Sequence, residues 1–143
     1  MELRRYRISD EASVIGLWRE FGLVRPWNDP SKDIQRKLTV QPEMFVVGII
    51  DDKLVASVMA GFDGHRGWIN YLAVAQQYRR CGFGRALIQR VEHQLKELGC
   101  PKLNIQVRVS NTGVLSFYRE LGYAQEDIIS LGKRLISDER GAT

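Results

Sequence analysis

The stretch that decides the fold reads Tyr71-Leu72-Ala73-Val74-Ala75-Gln76-Gln77-Tyr78-Arg79-Arg80-Cys81-Gly82-Phe83-Gly84-Arg85. Its apolar first part predicts a strand over 68–75, and the apolar spacing that follows predicts a long helix ending near Gly99. The turn between them contains two glycines and is rich in arginine. A glycine-rich turn that leads from a strand into a helix exposes backbone N–H groups at the positive end of the helix dipole. The stretch therefore predicts an anion site at the start of the helix.

The turn differs from two better-known phosphate-binding loops. A Walker A loop requires Gly-x-x-x-x-Gly-Lys-Ser/Thr, and a dinucleotide fingerprint requires Gly-x-Gly-x-x-Gly on the first strand of a βαβ unit. Neither pattern occurs in the sequence. The residues of the turn alone leave two interpretations open, an anion-binding loop and an ordinary basic turn with two glycines.

The excess positive charge of the chain is concentrated around this turn. The 143 residues carry a net charge of +4, and residues 76–108 hold seven Lys or Arg against two Asp or Glu. Residues 1–75 hold ten of each sign, and residues 109–143 hold four against five. Charge localised in this way favours a local anion site. We expect no nucleic-acid partner, because the basic segment has no interleaved aromatic platform.

Length and composition indicate a single domain over residues 1–143, with 44% hydrophobic and 27% charged residues. Cys81 and Cys100 form neither a disulfide framework nor a zinc-binding pattern, so we expect a reducing compartment and no metal. The charged start of the chain lacks the apolar core of a signal peptide, and its apolar stretches are too short to span a membrane. The expectation is a cytoplasmic protein without a membrane partner.

The remaining patterns predict the element order β-α-α-β-β-β-α-β-α-β, which is typical of a mixed sheet covered by helices on both faces. The predicted strands are 2–8, 44–50, 54–62, 68–75, 103–107 and 128–135, and the predicted helices are 9–22, 30–39, 85–99 and 111–122. The strands over 44–50 and 54–62 form a hairpin, with 68–75 as a third antiparallel strand. Asp29 and Pro30 are a typical cap and first residue of the second helix.

Two motifs of this chain resemble those of the GNAT superfamily of acyl-CoA-dependent N-acyltransferases. Arg79-x-x-Gly82-x-Gly84 resembles the family's Arg/Gln-x-x-Gly-x-Gly/Ala motif, and Asn111 through Phe117-Tyr118-x-x-x-Gly122-Tyr123 resembles its second block. The resemblance extends over nearly the whole chain. It implies an α/β fold whose central mixed, mostly antiparallel, twisted sheet of about six strands carries four helices on its two faces. The family usually has two strands after Gly122, whereas this chain has room for one and a stub.

The resemblance also implies that acetyl-CoA is the co-substrate and that the 79–84 backbone holds its pyrophosphate. The implied cofactor-binding residues are Leu72, Ala73, Val74, Arg79, Arg80, Gly82, Phe83, Gly84, Arg85 and Asn111. Strand 71–74 is expected to splay from strand 103–107, so that its backbone pairs with the pantetheine arm. Asn111 has a second interpretation as the cap of its helix.

The implied reaction is direct attack of a primary amine on acetyl-CoA in a ternary complex, with Tyr118 as the general acid for the CoA thiolate. From the residues alone, the favoured interpretation of Tyr118 is a packed core aromatic with its hydroxyl satisfied. The backbone N–H of Leu72 or its neighbour can polarise the carbonyl. The base is left open, because strand 68–74 carries no acid where many members of the family have a carboxylate. The two alternatives for the base are a water molecule held by Asn70 and the side chain of His65.

The resemblance places the acceptor pocket between the 22–30 loop and the starts of the central strands. The expected lining residues are Trp27, Asn28, Trp68 and Asn70. The acceptor would be an amine of a small molecule or of a protein, and a homodimer is an open alternative to a monomer. A competing function is a weakly active or inactive acyl-CoA-binding sensor, which the missing carboxylate favours and the retained Tyr118 opposes.

Overall fold

The computed structural model describes residues 1–139 and places them in one sheet and four helices. The strands are β1 (Glu2–Arg5), β2 (Phe45–Ile50), β3 (Lys53–Phe62), β4 (Gly67–Val74) and β5 (Leu103–Ile105), and the helices are α1 (Glu11–Phe21), α2 (Pro30–Lys37), α3 (Phe83–Glu97) and α4 (Thr112–Glu120). The strands follow one another in chain order across the sheet; β1 to β4 are antiparallel, and β5 is parallel to β4. The predicted mixed, mostly antiparallel α/β fold is confirmed.

The core lies on both faces of β3. Residues 55–60 of this strand are all buried, and since successive side chains point to opposite faces, both faces must be covered. The buried helix residues that cover them are Val14, Leu17 and Trp18 of α1 and Leu87, Ile88, Val91 and Leu95 of α3. This packing fixes the central strands, and β5 lies at the edge where the sheet opens.

Helix α2 begins as the sequence predicts. The Asp29 side chain accepts hydrogen bonds from the N–H groups of Ser31 and Lys32, and Pro30 is the first helical residue. Asp33 and Lys37 are four residues apart, about one turn, so their side chains lie on the same face of α2.

The predicted strand over 128–135 does not form, so the sheet has five strands instead of about six. Every residue from 124 to 137 is exposed, and the exposed fractions of Ile129 and Leu131 are 87% and 91%. β-branched residues favour a strand when one face is buried against neighbours. The segment contacts the β5 side of the sheet through side chains, as in the pairs Gln106–Ser130, Asn104–Glu126 and Lys102–Glu126. Because β5 is only three residues long, it provides no ladder along which the segment could pair.

No helix within residues 1–139 combines the length and the apolar character needed to cross a membrane. Over the same residues, no three or more His, Cys, Asp or Glu side chains are grouped so that they could hold a metal ion. Cys81 and Cys100 are both free thiols.

Candidate active site

The strands β4 and β5 separate part of the way along the sheet. They pair from Gly67 and Leu103 to Ile69 and Ile105, and within the described chain no further pair follows. The opening is part of a cleft of about 850 Å³ that α2, the loop before it and α4 also line. The backbone of β4 beyond Ile69 is therefore free to bond a ligand on its β5 side. This is the splayed geometry that the family resemblance implies.

A β-bulge lies in β4 where it borders the cleft. The register between β3 and β4 shifts between Ser57 and Met59, so that Tyr71 and Leu72 together oppose a single residue of β3. Tyr71 has a φ of 54°, in the left-handed region, which is costly for a bulky side chain. The surroundings of Tyr71 must therefore stabilise the bulge.

Two side chains hold the bulge in place. The Ser57 hydroxyl donates to the Tyr71 carbonyl oxygen at 3.0 Å, and the Trp18 indole N–H donates to the Ser57 Oγ at 2.8 Å. The Trp18 ring also stacks on the Tyr71 ring with centroids 3.8 Å apart. Because Trp18 and Ser57 are fully buried, α1 anchors the bulge from inside the core.

Tyr118 reaches the same cleft from α4. Its exposed fraction is 6%, and its hydroxyl makes no hydrogen bond to any other residue within 1–139. Burial raises the pKa of Tyr118 well above its ordinary value, so the phenol stays protonated at neutral pH. The neighbouring Tyr123 hydroxyl, in contrast, donates to Glu92 at 2.8 Å. The Tyr118 hydroxyl is thus protonated and donates to no acceptor within residues 1–139.

Helix α4 is held against the start of α3 by a close contact. A Cβ on Gly84 would lie 3.0 Å from the ring of Phe117, the residue before Tyr118. The glycine therefore permits this close packing, since a Cβ would require the Phe117 ring to shift, in addition to any role beside a phosphate. Gly82 is required for a different reason, because it caps α3 with a φ of 83°.

The predicted anion loop has the expected geometry. Gly82 supplies no side-chain cap, so the first N–H groups of α3, those of Phe83, Gly84 and Arg85, are left free by the helix. Arg79, Arg80 and Arg85 are exposed and form no ion pair within residues 1–139. The Arg79 guanidinium lies 4.8 Å from the centre of the Phe21 ring. Backbone donors and free guanidinium groups together suit a pyrophosphate.

The other predicted cofactor-binding residues differ in their positions. Leu72 and Asn111 line the cleft, and Asn111 also caps α4 by accepting the Val114 N–H at 3.4 Å. Both interpretations of Asn111 are therefore compatible with its position. Ala73 and Val74 pair with β3, so only the other edge of their backbone faces the opening.

Three of the four predicted acceptor residues line the cleft: Asn28, Trp68 and Asn70. Trp27 does not; its ring is 43% exposed and lies 5.5 Å from the Arg108 guanidinium. This contact joins the loop before α2 to the chain that follows β5. Trp27 therefore stabilises the rim of the cleft.

The turn before β4 has its own carboxylate, Asp63. It accepts hydrogen bonds from the N–H groups of Arg66 and His65 and from the Trp68 indole, and these bonds lower the pKa of Asp63 to about 2. His65 is exposed and is not among the residues that line the cleft. Its position gives no support to its candidacy as the base.

A carboxylate that the sequence analysis missed lines the cleft from α2. The Tyr71 hydroxyl donates to the Asp33 Oδ2 at 2.6 Å, and Arg36 donates to the Asp33 Oδ1 at 3.2 Å. Burial, followed by the hydrogen bond to Asp33, raises the pKa of Tyr71. Asp33 belongs to no motif, and only its position beside β4 reveals it.

Arg36 also binds the C-terminal segment. Its guanidinium makes two hydrogen bonds to Asp138, at 2.6 and 3.0 Å, and Arg134 contacts the same carboxylate at 2.9 Å. The Asp138 side chain is fully buried by these contacts, and the hydrogen bond from Arg36 holds its pKa well below the usual range. The segment that follows α4 is thus tied to α2 beside the cleft.

We expect Asp138→Asn to release this segment. The amide loses its charge against two arginines, so trypsin should cleave after Lys133 and Arg134 several-fold faster than in the native chain. In the native protein, cleavage should accelerate as the pH falls below about 3.9, because a carboxylate with a depressed pKa stabilises only when ionised. The acid arm is read with pepsin, which is active in this pH range, by comparing cleavage within residues 124–137 of the native chain and of Asp138→Asn, which lacks the titrating carboxylate. Asp127→Asn, an exposed acid of the same segment, is the control, and equal cleavage of both variants would contradict the role of Asp138.

Comparison with known proteins identifies the family. The model of the GNAT acetyltransferase family matches residues 13–123. An acetyltransferase of Yersinia pestis (strain Pestoides F) is 50% identical over 139 residues, which are 97% of this chain and 99% of the relative. An acetyltransferase of Pectobacterium atrosepticum is 47% identical over 138 residues, 96% and 98% of the two chains.

A solved structure supports the same fold. The aminoglycoside antibiotic 6′-N-acetyltransferase of Acinetobacter haemolyticus superposes with a TM-score of 0.72 over 95% of this chain and 100% of that one, at 15% identity. At this identity the likeness concerns the fold alone. Because half of the residues are shared with the Yersinia acetyltransferase over nearly the full length of both proteins, this chain belongs to the GNAT family and is an N-acetyltransferase.

Proposed function

We propose that this enzyme moves an acetyl group from acetyl-CoA to a primary amine by direct attack in a ternary complex, with Tyr118 as the general acid. The observation that carries the proposal is the Tyr118 hydroxyl, which belongs to a largely buried residue lining the cleft, is protonated, and has no hydrogen-bond partner within the described residues. Within the described residues, the only fully buried side-chain polar atom without a partner is the Gln94 Oε1, so the Tyr118 hydroxyl is open to the cleft, where a ligand can accept its hydrogen bond. The same cleft is bordered by the β4 bulge.

The residues fit acetyl-CoA in two places. The free N–H groups at the start of α3 and the exposed side chains of Arg79, Arg80 and Arg85 would hold the phosphates. The free edge of β4 from Leu72 to Val74 would bond the pantetheine amides. When bound, acetyl-CoA would supply the thioester carbonyl and the thiolate leaving group.

Tyr118 has to hold a proton until negative charge develops on sulfur. A thiol has a pKa of about 8.5 and an ordinary tyrosine about 10, so complete transfer costs about 2 kcal/mol even before burial raises the pKa of Tyr118. The same apolar surroundings also raise the pKa of a thiol, which reduces the difference. Proton donation concerted with departure of the sulfur is therefore the form of acid catalysis that this phenol can provide.

The bulge supplies the second catalytic group. Tyr71 and Leu72 occupy two positions opposite one residue of β3, so one of their N–H groups is left out of the ladder. The N–H of Leu72, which lines the cleft, would donate to the oxygen of the carbonyl as it becomes negative. Trp18 and Ser57 hold this donor rigidly, which limits the reorganisation needed during the reaction.

The alternative of an inactive acyl-CoA sensor loses its main support. That interpretation depended on the absence of a carboxylate from strand 68–74, whereas Asp33 of α2 lines the cleft beside β4. The amine of a small molecule or of a protein remains the proposed partner. A homodimer stays a prediction, which light scattering would test.

The function is tested by release of CoA thiol from acetyl-CoA in the presence of a panel of primary amines. The panel contains a blocked lysine, an alanine-terminated peptide, an amino sugar, an aminoglycoside and hydroxylamine. We expect amine-dependent thiol release well above the uncatalysed rate, together with an acetylated product found by mass spectrometry. Tight CoA binding without transfer to any of these nucleophiles would contradict the proposal.

Substitution of the loop arginines tests the proposed phosphate site. We expect Arg80→Gln and Arg85→Gln each to weaken CoA binding about three- to tenfold, because each removes one charge-assisted bond at an exposed site. The dissociation constant is measured by calorimetry at two salt concentrations, and the loss should shrink at high salt. Arg5→Gln, on β1 at the opposite edge of the sheet, is the control. Unchanged affinity in both loop variants would contradict the predicted site.

A further inference from the structure

We infer that Asp33 and Tyr71 form the proton-accepting pair for the acceptor amine, with Asp33 as the base and Tyr71 as the relay between it and the amine. This inference rests on the proposed function and assigns the group that the sequence left open. The acceptor that it implies is an amine that enters the cleft as an ammonium ion.

The pair is defined by its short hydrogen bond and its place in the cleft. The Tyr71 Oη lies 2.6 Å from the Asp33 Oδ2, and both residues line the cavity that Tyr118 and Leu72 also line. Tyr71 directly precedes Leu72, the proposed donor to the carbonyl. The relay of the pair, Tyr71, and the carbonyl-side donor, Leu72, are therefore adjacent residues of one bulge, and Asp33 faces Tyr71 from α2.

The backbone of Tyr71 indicates that its position is maintained at a cost. A left-handed φ of 54° is uncommon for an aromatic residue, and strain of this kind concentrates at functional sites. The strain is offset by the bond from Ser57 and by the ring of Trp18. The bulge presents the phenol to Asp33.

The contacts of Asp33 leave its Oδ1 bonded only to an arginine that it shares with another carboxylate, although three cations also line the cleft. Arg36 of α2 faces the Asp33 Oδ1 at 3.2 Å, but it makes shorter bonds, down to 2.6 Å, to Asp138 of the C-terminal segment. Arg134, from the same segment, is paired with Asp138 at 2.9 Å. The other charged residues that line the cleft are Arg25, Lys37, Asp63 and Arg108.

Two of these charged groups are already engaged by the protein. The Lys37 ammonium donates to the Val40 and Ala60 carbonyl oxygens, and Asp63 accepts three bonds in its own turn. Asp33 accepts one strong bond from a neutral phenol and a longer one from a shared arginine. It is therefore the cleft carboxylate best able to accept a proton from an ammonium.

The proton balance of the reaction is complete with these residues. The ammonium gives one proton to the Tyr71 oxygen while the Tyr71 hydrogen passes to the Asp33 Oδ2, and Asp33 later releases it to solvent. The freed lone pair forms the C–N bond, and the C–S bond breaks. Tyr118 protonates the sulfur and recovers a proton from the attacking nitrogen, so the products are an amide, a thiol and one proton in solution.

Two nucleophiles test the pair. We expect Asp33→Asn and Tyr71→Phe to lower kcat/KM at pH 7 about 100-fold for the best alkyl amine of the panel. For hydroxylamine, which is uncharged at this pH, the loss should be less than threefold after subtraction of the uncatalysed reaction. The alkyl-amine rate of Asp33→Asn should recover about tenfold per pH unit as the free amine becomes available, up to about pH 10.

A binding measurement provides a readout apart from turnover. Calorimetric titration of the alkyl amine into the enzyme–CoA complex should show about tenfold weaker binding in Asp33→Asn, whereas CoA affinity stays unchanged and the variant remains folded at the temperature of the measurement. Asp63→Asn is the matched control, because it removes a carboxylate from the same cleft whose oxygens are engaged in the turn. We expect it to leave the ratio of the two nucleophiles as in the native enzyme.

The outcomes separate this inference from the proposed function. Equal losses for both nucleophiles, or no loss for either, would overturn the role of Asp33 and Tyr71 and leave acetyl transfer standing. A native enzyme that acetylates neither nucleophile would overturn the proposed function itself.

Discussion

We expect Tyr118→Phe to lower kcat about 10²- to 10⁴-fold at neutral pH, for an alkyl amine and for hydroxylamine alike. The substitution removes one hydroxyl from a residue that is 6% exposed and leaves its ring in place. Because the proposed acid acts on the leaving sulfur, the loss should be independent of the nucleophile. This independence distinguishes Tyr118 from Asp33, whose loss is selective for amines that enter as cations. Steady-state kinetics with both nucleophiles measures the difference.

The matched control is Tyr123→Phe. Tyr123 lies next to Tyr118, with ring centroids 5.7 Å apart, but its hydroxyl is bonded to Glu92 outside the cleft lining. We expect this variant to lose about 1 kcal/mol of stability and to keep its turnover within about threefold. Similar losses of turnover in the two variants would mean that packing, and not acid catalysis, explains the effect. CoA affinity within about twofold of the native value in Tyr118→Phe would exclude a defect in cofactor binding.

The sequence predicts the parts of this site that depend on local backbone chemistry. Gly82 adopts the left-handed conformation that only glycine accepts readily, and the arginines around it are exposed as expected. The splay of β4 from β5 follows from the family resemblance. The glycine and the arginines belong to one short segment, which is enough to recognise them, whereas the splay joins two distant strands and is predicted only because the family's fold implies it.

The features that the sequence does not reveal are those that join distant segments. Asp33 meets Tyr71 across 38 positions of the chain, and Asp138 meets Arg36 across 102. The periodicity of a sequence does not predict such pairs. Asp33 and Arg36 suit the exposed face of a helix whether or not a distant residue contacts them. The prediction of a strand over 128–135 is wrong for a related reason. The apolar pattern is a property of the segment itself, whereas a β-strand also needs a neighbouring strand with which its backbone can form hydrogen bonds.

Trp18→Ala is expected to destabilise the fold by about 3 to 5 kcal/mol, the largest stability loss that we predict for a single residue. Trp18 is completely buried, stacks on Tyr71 and donates its indole N–H to Ser57. Truncation leaves a large cavity and removes the donor to the hydroxyl that holds the bulge. For a domain of this size the loss corresponds to a fall in Tm of about 6 to 20 °C, measured by calorimetry. Trp27→Ala, with a ring that is 43% exposed, is the control and should cost about 1 kcal/mol.

Trp18→Phe distinguishes the contribution of Trp18 to stability from its contribution to the geometry of the β4 bulge. The phenyl ring preserves part of the stack on Tyr71 but cannot donate to Ser57, so the strained backbone at Tyr71 loses one of its restraints. We expect a smaller stability loss, about 1 to 3 kcal/mol, together with a fall in kcat at a temperature where the variant is fully folded. A folded variant with native kcat would contradict the link between the core and the bulge. If kcat does fall, the geometry of Leu72 and Tyr71 is set from α1, so the helix that completes the core also holds the reacting groups in place.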